Sequence, residues 1–488
     1  MKVRKGLLFA GSLLFIATGC ASGGGGGATT SGPGVAGPAP ATSSAADGES
    51  ERDDEYTRAA EDFLDDAFAQ ETIGSQEQAD QAFSNALAQA RLAVENDPTN
   101  PKAHLLLGQA AVGNEEWELA AEAYSEALEL RPAYLEETRA ERETTWVELY
   151  NRGAPLISQG EYQAAIAIFS AADAINGERP EIKIILGQLL AQEQEYDRAI
   201  AVLEEAQMII DGPRIEEVDS TTAASWIEQS ADIGPTIAQS LLMSNRYEDA
   251  VPVLESLIAQ YPEDLQYVFS LAGSFGELER TDEAIALYNE VAERPGLEAS
   301  EYLELGIGLY QLDEYRDAAA AFMQAAEAAP YDRDALELGV NSLQLTYVGN
   351  DSLQASPAEV EAWIDMGERW IELDPNNPQA YTALAQGITR TDDQSRAPEL
   401  LNTAEALPVI VRNLQMTRTR GGATVVGAVS ANGDDAPSEA TLEFTFYDAA
   451  GNVLGTETTS VTLSGSSAGI NVQFDGEGVE GYGYEVVG

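Results

Sequence analysis

Across 488 residues the sequence offers one histidine and one cysteine, and these bound the chemistry it can do. His104 is the one imidazole available as a general base, and its neighbours Ala103, Leu105 and Leu106 supply no nucleophile to activate. No cysteine and histidine cluster offers zinc ligands. The acidic phrases "DDQS" and "NGDDAPSE" lack the regular spacing of oxygen ligands and the glycine of a helix-loop-helix calcium site. No glycine-rich loop follows a strand to cradle a phosphate. Carboxylates are everywhere, but scattered pairs on helices define no cleft for glycoside hydrolysis. The expectation is a protein without catalytic residues, cofactor or metal.

The chain carries 83 acidic and 26 basic residues, a formal net charge of −57. Beyond the first five residues the only lysines are Lys102 and Lys183. A nucleic-acid partner is excluded, because there is no basic surface to displace counterions from phosphate. Anionic lipid headgroups are disfavoured for the same reason. The acid excess reads as adaptation to high salt, where the Debye length shrinks to about 3 Å at 1 M and self-repulsion costs little. An ordinary, well-solvated acidic surface is the alternative. A single cysteine allows no internal disulfide.

Cys20 has a setting of its own. Lys2, Arg4 and Lys5 precede an apolar stretch over residues 6–17, which is short of the roughly 20 apolar residues a spanning helix needs. Ala17-Thr18-Gly19-Cys20 then resembles the lipobox of bacterial lipoproteins, with alanine where leucine is more usual. That resemblance implies removal of residues 1–19 as a signal peptide and acylation of Cys20. It also implies outer-membrane sorting, since Ala21 is not the aspartate associated with inner-membrane retention. Several acyl chains, at about 0.8 kcal/mol per buried methylene, make a durable anchor. Residues 20–54 are rich in Gly, Ser, Ala, Pro and Thr and read as a flexible tether with a reach of about 30–35 Å.

From residue 55 to 407 apolar residues fall at helical spacing. Ala250, Ala284 and Ala318 are 34 residues apart and open similar phrases, "YEDAVPVLESL", "TDEAIALYNEV" and "YRDAAAAFMQA". Gly153 and Gly187 keep the same interval. This resembles the tetratricopeptide repeat, a helix-turn-helix unit of that period. In the unit from Pro101, Leu107, Gly108, Ala111, Ala120, Tyr124, Ala127 and Pro132 match its pattern; Leu305, Gly306, Leu309, Ala318, Phe322, Ala325 and Pro330 do so in the unit from Ala299. About eight units start near 101, 146, 180, 231, 265, 299, 333 and 378, after a further helix pair between about 55 and 97. The phrases "DGPRIEEVDSTTAASW" and "YVGNDSLQASP" are insertions into this pattern.

In that family stacked pairs coil into a superhelix whose first helices line a concave face, which binds an extended segment or a partner helix. The resemblance therefore implies inward-facing residues here. Gln109, Gln188, Gln239, Asn341 and Gln386 share one first-helix position, and a primary amide can pair with a peptide backbone without reading its sequence. Leu105, Tyr150, Ile184, Phe269, Leu303, Ile307 and Tyr310 are the expected apolar anchors beside them.

Near Pro408 the period changes from helical to alternating. "VIVRNLQMTRT", "ATVVGAVSA", "ATLEFTFYDA", "VLGTETTSVTL", "AGINVQFD" and "GYGYEVV" read as six or seven short strands separated by turn residues, a small antiparallel β-sandwich over residues 408–488. "FTFYDAAGNVLGT" resembles the phrase of FxLYD-type bacterial domains, an immunoglobulin-like envelope module, with Phe446 in place of leucine. The resemblance implies adhesion or docking; a cap on the solenoid is the alternative.

The expected fold class is thus multidomain α + β, an α-helical solenoid followed by a β-sandwich. The expected function is a lipid-anchored envelope scaffold or assembly factor that holds a protein partner. A surface lipoprotein binding a glycan or nutrient, with Trp363, Trp370 and Tyr381 as platforms, is the alternative.

Overall fold

The structure, a computed structural model, describes residues 48–348, 353–419, 421–433, 436–463 and 467–487. The expected signal peptide, Cys20 and residues 20–47 of the expected tether lie outside the described residues. The chain divides into two compact units, one ending at Leu257 and the other beginning at Ile258.

In the first unit the helices are α1 (Glu55–Thr72), α2 (Gln76–Asn96), α3 (Pro101–Gly113), α4 (Trp117–Leu130), α5 (Tyr134–Glu137), α6 (Arg139–Gln159), α7 (Tyr162–Ile175), α8 (Pro180–Gln192) and α9 (Tyr196–Asp211). They continue with α10 (Arg214–Glu217), α11 (Ser220–Ser230), α12 (Ile233–Met243) and α13 (Tyr247–Gln260), the last of which carries the boundary. The second unit holds α14 (Leu265–Glu277), α15 (Thr281–Ala292), α16 (Ala299–Gln311), α17 (Tyr315–Ala328), α18 (Arg333–Tyr347), α19 (Pro357–Leu373), α20 (Pro378–Ile388) and α21 (Ala397–Ala406). The short α5 and α10 and the inserted α11 stand outside the pairing.

Local sequence explains the punctuation. The turn inside a pair passes through a left-handed residue: Gly74, Glu115, Gly160, Gln194, Asn245, Glu279 and Asp313 all have positive φ. That conformation closes the end of a helix by returning backbone N–H groups to its last carbonyls, as Glu116 N does to Ala111 O at 2.9 Å. Asn100, Asp264, Asp332 and Asn377 then cap the following first helices with their side chains. Pro101, Pro180 and Pro378 sit at the first turn, where no amide donor is needed.

A second regularity holds four of the pairs together. A Cβ added at Gly108 would lie 2.6 Å from the ring of Tyr124, and one at Gly153 2.6 Å from Phe169. One at Gly306 would lie 2.6 Å from Phe322, and Gly187 meets Leu203 in the same way. Each large residue follows its glycine by 16 positions. A missing side chain on the first helix thus makes the socket for a large one on the second, and the helices close to contact around it.

At the start of the first unit, residues 48–54 are bonded to the helix ends rather than free. Glu49 N donates to Leu130 O at 2.8 Å, the Asn100 amide donates to Arg52 O at 2.7 Å, and the Tyr134 hydroxyl donates to Glu51 at 2.8 Å.

In the second unit the helices are followed by β1 (Val409–Thr419), β2 (Gly422–Ala431), β3 (Glu439–Tyr447), β4 (Val453–Thr462), β5 (Ala468–Asp475) and β6 (Gly481–Val486). They form two antiparallel three-stranded sheets, in the orders β1-β2-β5 and β4-β3-β6. Alternate residues, among them Val425, Leu442, Phe444, Phe446 and Val472, meet in a single core.

The sandwich does not hang free. Its β1 and β6 side packs against the loops that lead into α18 and α20. Arg333 and Asp374, both almost fully buried, pair at 2.9 Å, and the Tyr484 hydroxyl donates to Asp374 at 2.7 Å. Arg333 also reaches Glu337 at 2.7 Å and the carbonyl of Leu414 at 3.4 Å. Val411 N donates to Asn376 O at 2.9 Å, so the outer edge of β1 is partly occupied. Tyr331 stacks on Tyr447 at 4.2 Å and lies against Gly451, where any side chain would overlap its ring. The residues of the "FTFYDAAG" phrase therefore split their work: Phe444 and Phe446 fill the core, while Tyr447 and Gly451 grip the helical array.

Candidate functional site

The first helices α3, α6, α8 and α12 of one unit, and α14, α16, α18 and α20 of the other, carry the expected groove residues, six in each unit.

In the first unit Leu105 and Tyr150 are half-buried and join one apolar cluster with Trp146 and Phe169. Tyr150 stacks on Trp146 with ring centroids 5.7 Å apart, and the Arg179 guanidinium lies 4.1 Å over the Trp146 ring while pairing with Glu143 and Glu181. Gln109 is already occupied: its amide donates to Glu141 at 2.5 Å. Ile184 is buried at 4 % exposure and belongs to the interior, not to a binding face. Gln188 on α8 and Gln239 on α12 differ from these. Both are exposed, and neither has a hydrogen-bond partner among the described residues.

In the second unit Phe269 is buried at 5 % exposure, tilted against Tyr288 at 6.4 Å, and so forms floor rather than anchor. Leu303, Ile307 and Tyr310 on α16 are half-buried, with Tyr310 edge-on to Tyr315 at 5.2 Å. Asn341 is half-buried without a hydrogen-bond partner among the described residues. Gln386 accepts a bond from Gln344 at 2.8 Å. Ile184 and Phe269 correct the expected anchor set. Helical register sets the direction of a side chain on its own helix, but how closely the next pair packs over it decides its exposure.

The sequence pattern missed Glu304. It interrupts the apolar phrase "YLELGIGLY" and remains open to solvent without an ion pair or hydrogen bond among the described residues. Although the residue as a whole is exposed, the protein packed around its carboxyl, and next the charge of Glu301, push its pKa up to about 7. The signal that would have found it is a lone acid between two expected anchors, Leu303 and Ile307.

Other candidates resolve plainly. His104 is buried with Nε2 2.9 Å from the carbonyl of Pro98, a packing role. Trp363 and Trp370 are fully buried in the α18–α20 core and present no ring face to a sugar. Tyr381 donates to the carbonyl of Pro375 at 2.9 Å. Among the described residues no group of three or more His, Cys, Asp or Glu could hold a metal ion. No described helix is long and apolar enough to cross a membrane.

Comparison with known proteins decides what the pairs are. Tetratricopeptide repeat family models match residues 74–134, 156–217 and 236–298. The helix pairs are tetratricopeptide-like repeats. Among solved structures, MamA from Desulfovibrio magneticus RS-1 is 18% identical with a TM-score of 0.31, covering 38% of this chain and 94% of its own. A tetratricopeptide repeat protein from Parabacteroides merdae is 18% identical with a TM-score of 0.24, covering 59% of this chain and 99% of its own. PilF of Pseudomonas aeruginosa is 17% identical with a TM-score of 0.24, covering 59% and 100%. Likeness at this level fixes neither partner nor activity. No curated protein sequence matches the chain. Repeats of this type support protein–protein interaction in general, and no enzymatic family is indicated.

Proposed function

We propose that this chain is an envelope lipoprotein, anchored through Cys20 on the outer membrane, that holds a protein segment against the first helices of its repeats. The observation that carries the reading is the pair Gln188 and Gln239. They share one register on the first helices α8 and α12, and both are exposed with no hydrogen-bond partner among the described residues. Neighbouring polar side chains, such as Gln109 and Gln386, find partners; these two are left for a guest backbone. Half-buried Leu303, Ile307 and Tyr310 supply apolar contact in the other unit. Residues 20–47 act as the tether, and the acid-rich surface suits a saline exterior. The role is positional: the anchor sets place and reach, and the repeats hold the partner for assembly of envelope machinery.

The test is cross-linking in intact membranes with wild type and with a Gln188→Glu, Gln239→Glu double variant. The expected result is one adduct held by wild type and lost by the variant, which keeps every helix. An adduct unchanged by the double substitution overturns the reading.

A further inference from the structure

We infer that the loop between α7 and α8 binds residues 44–47 of this same chain, with the Asn176 amide pairing to their backbone. The N-terminal segment then lies across three successive inter-repeat loops. The tether of the proposed function thereby gains a docked end, and the first-helix site is not involved.

The C-cap residues of three successive second helices form a series: Asp97 ends α2, Arg131 ends α4 and Asn176 ends α7. The first two hold the N-terminal segment. Asp97 pairs with Arg52 at 2.7 Å. Asn100, in the same loop, accepts from the Arg52 N–H at 3.2 Å and donates to the Arg52 carbonyl at 2.7 Å. Arg131 donates to the Glu49 carbonyl at 3.3 Å, beside the bond from Glu49 N to Leu130 O. Gly48 is pressed onto that loop, where a Cβ would lie 2.5 Å from Leu130 O. The segment thus moves from one loop to the next between Arg52 and Glu49, a step of three residues. Three extended residues span about 10–11 Å, close to the roughly 8–10 Å between packed helices. The α7–α8 loop is next in line: Arg142 donates to Leu135 O at 2.5 Å and to Ile175 O at 2.9 Å, joining α5 to the end of α7. The same step of three brings Ala46 to it.

Asn176 is the member of the series with its bonds unmade. It is buried at 3 % exposure, yet its side-chain amide has no hydrogen-bond partner among the described residues and is not sealed from solvent. A buried amide without bonds costs stability, and a passing backbone relieves that cost with one N–H and one carbonyl. Gly177 beside it has no side chain to block the approach, and Ser44, Ala45 and Ala46 are small enough to lie flat. The chain's own segment takes this loop ahead of a free peptide, because Gly48 is held one loop away and a short linkage gives an effective concentration of about millimolar. The second unit holds an extended segment by the same means. Asn376, in the α19–α20 loop, donates its side-chain amide to Val409 O at 2.9 Å, and its own carbonyl accepts from Val411 N at 2.9 Å. The tether is then residues 20–43, with a reach of about 25–30 Å, and it leaves from the inter-repeat edge rather than from the start of α1.

The assay is backbone hydrogen exchange on the full chain in detergent. In wild type the amides of residues 44–47 are expected to exchange about fivefold more slowly than those of a free chain. Asn176→Ala is expected to return them to free-chain rates while residues 49–54 and helix α8 keep their protection. Because Asn176 is buried, a second variant leaves the array untouched. Ala45→Pro with Ala46→Pro removes two backbone donors, and Ser44 and Asp47 are expected to lose protection with no change in melting temperature. Free-chain rates for residues 44–47 in wild type overturn the inference, as does protection that survives either variant. Protection that grows with protein concentration assigns the loop to a second copy and overturns it as well. None of these outcomes alters the cross-linking expected from Gln188 and Gln239, so the first-helix reading stands or falls separately.

Discussion

Gly306 gives the sharpest test of how the repeats are held together. Substituting alanine places a Cβ 2.6–2.8 Å from three ring atoms of Phe322, where ordinary contact begins near 3.4 Å. The ring is rigid and fully buried, so it cannot swing aside as a long aliphatic chain would. Overpacking of this kind costs about 1–3 kcal/mol, and alanine in place of a helical glycine returns about 1 kcal/mol. Gly306→Ala should therefore lose up to about 2 kcal/mol. Gly273, mid-helix in the preceding pair, is the matched control: its new Cβ meets nothing, so Gly273→Ala should gain about 0.5–1 kcal/mol. Repeat arrays lose stability locally, so the assay is hydrogen exchange over α14–α17 supported by urea unfolding. Amides of α16 and α17 should exchange about tenfold faster in Gly306→Ala for each 1.4 kcal/mol lost. If Gly306→Ala proves as stable as Gly273→Ala, the glycine socket does not hold the pair and the packing account fails.

Three further outcomes follow from the structure. Burial pushes Glu359 up, but bonds from Ser356, Tyr347 and Arg316 outweigh it and hold its pKa at about 2, below the ordinary 4.5. Its folded value lies below its unfolded one, so its stabilisation is present above about pH 4.5 and lost as pH falls toward 2; Glu359→Gln should flatten that acid limb and cost at most about 3 kcal/mol at neutral pH, measured by urea unfolding against pH. Tyr331→Ala removes the ring gripped by Tyr447 and Gly451; it should cost about 2 kcal/mol and raise exchange in β6 and the β3–β4 turn while α14 stays protected, and uniform protection would refute the gripping role. Raising KCl from 0.1 to 2 M should lift the melting temperature, since the described lysines and most described arginines are already paired and the remaining acids repel one another; a flat response would count against the high-salt reading.

The repeats and the strands were legible because each rests on local spacing. The glycine and the large residue 16 positions later are set by two helices and a turn, and alternation in "ATLEFTFYDA" needs only one sheet. The interruption at "YVGNDSLQASP" was also visible, and α19 begins at its final residue, Pro357, capped by Ser356. The anchors were harder. Ile184 and Phe269 stand at the right register, but contact with neighbouring pairs takes them inside. The seating of the sandwich turns on Tyr331, Arg333 and Asp374, three separated residues with no period to reveal them. Glu304 was hidden for the opposite reason, as one more acid in a chain with 83.

The most direct measurement places a photoreactive residue at Gln239, on the first-helix face, and in a second chain at Glu255, exposed on the second helix α13. Both are irradiated in intact membranes at equal expression. A protein adduct formed from position 239 and absent from position 255 is the expected result. The same adducts from both positions, or an adduct from 255 alone, would contradict the claim that the first helices hold the partner.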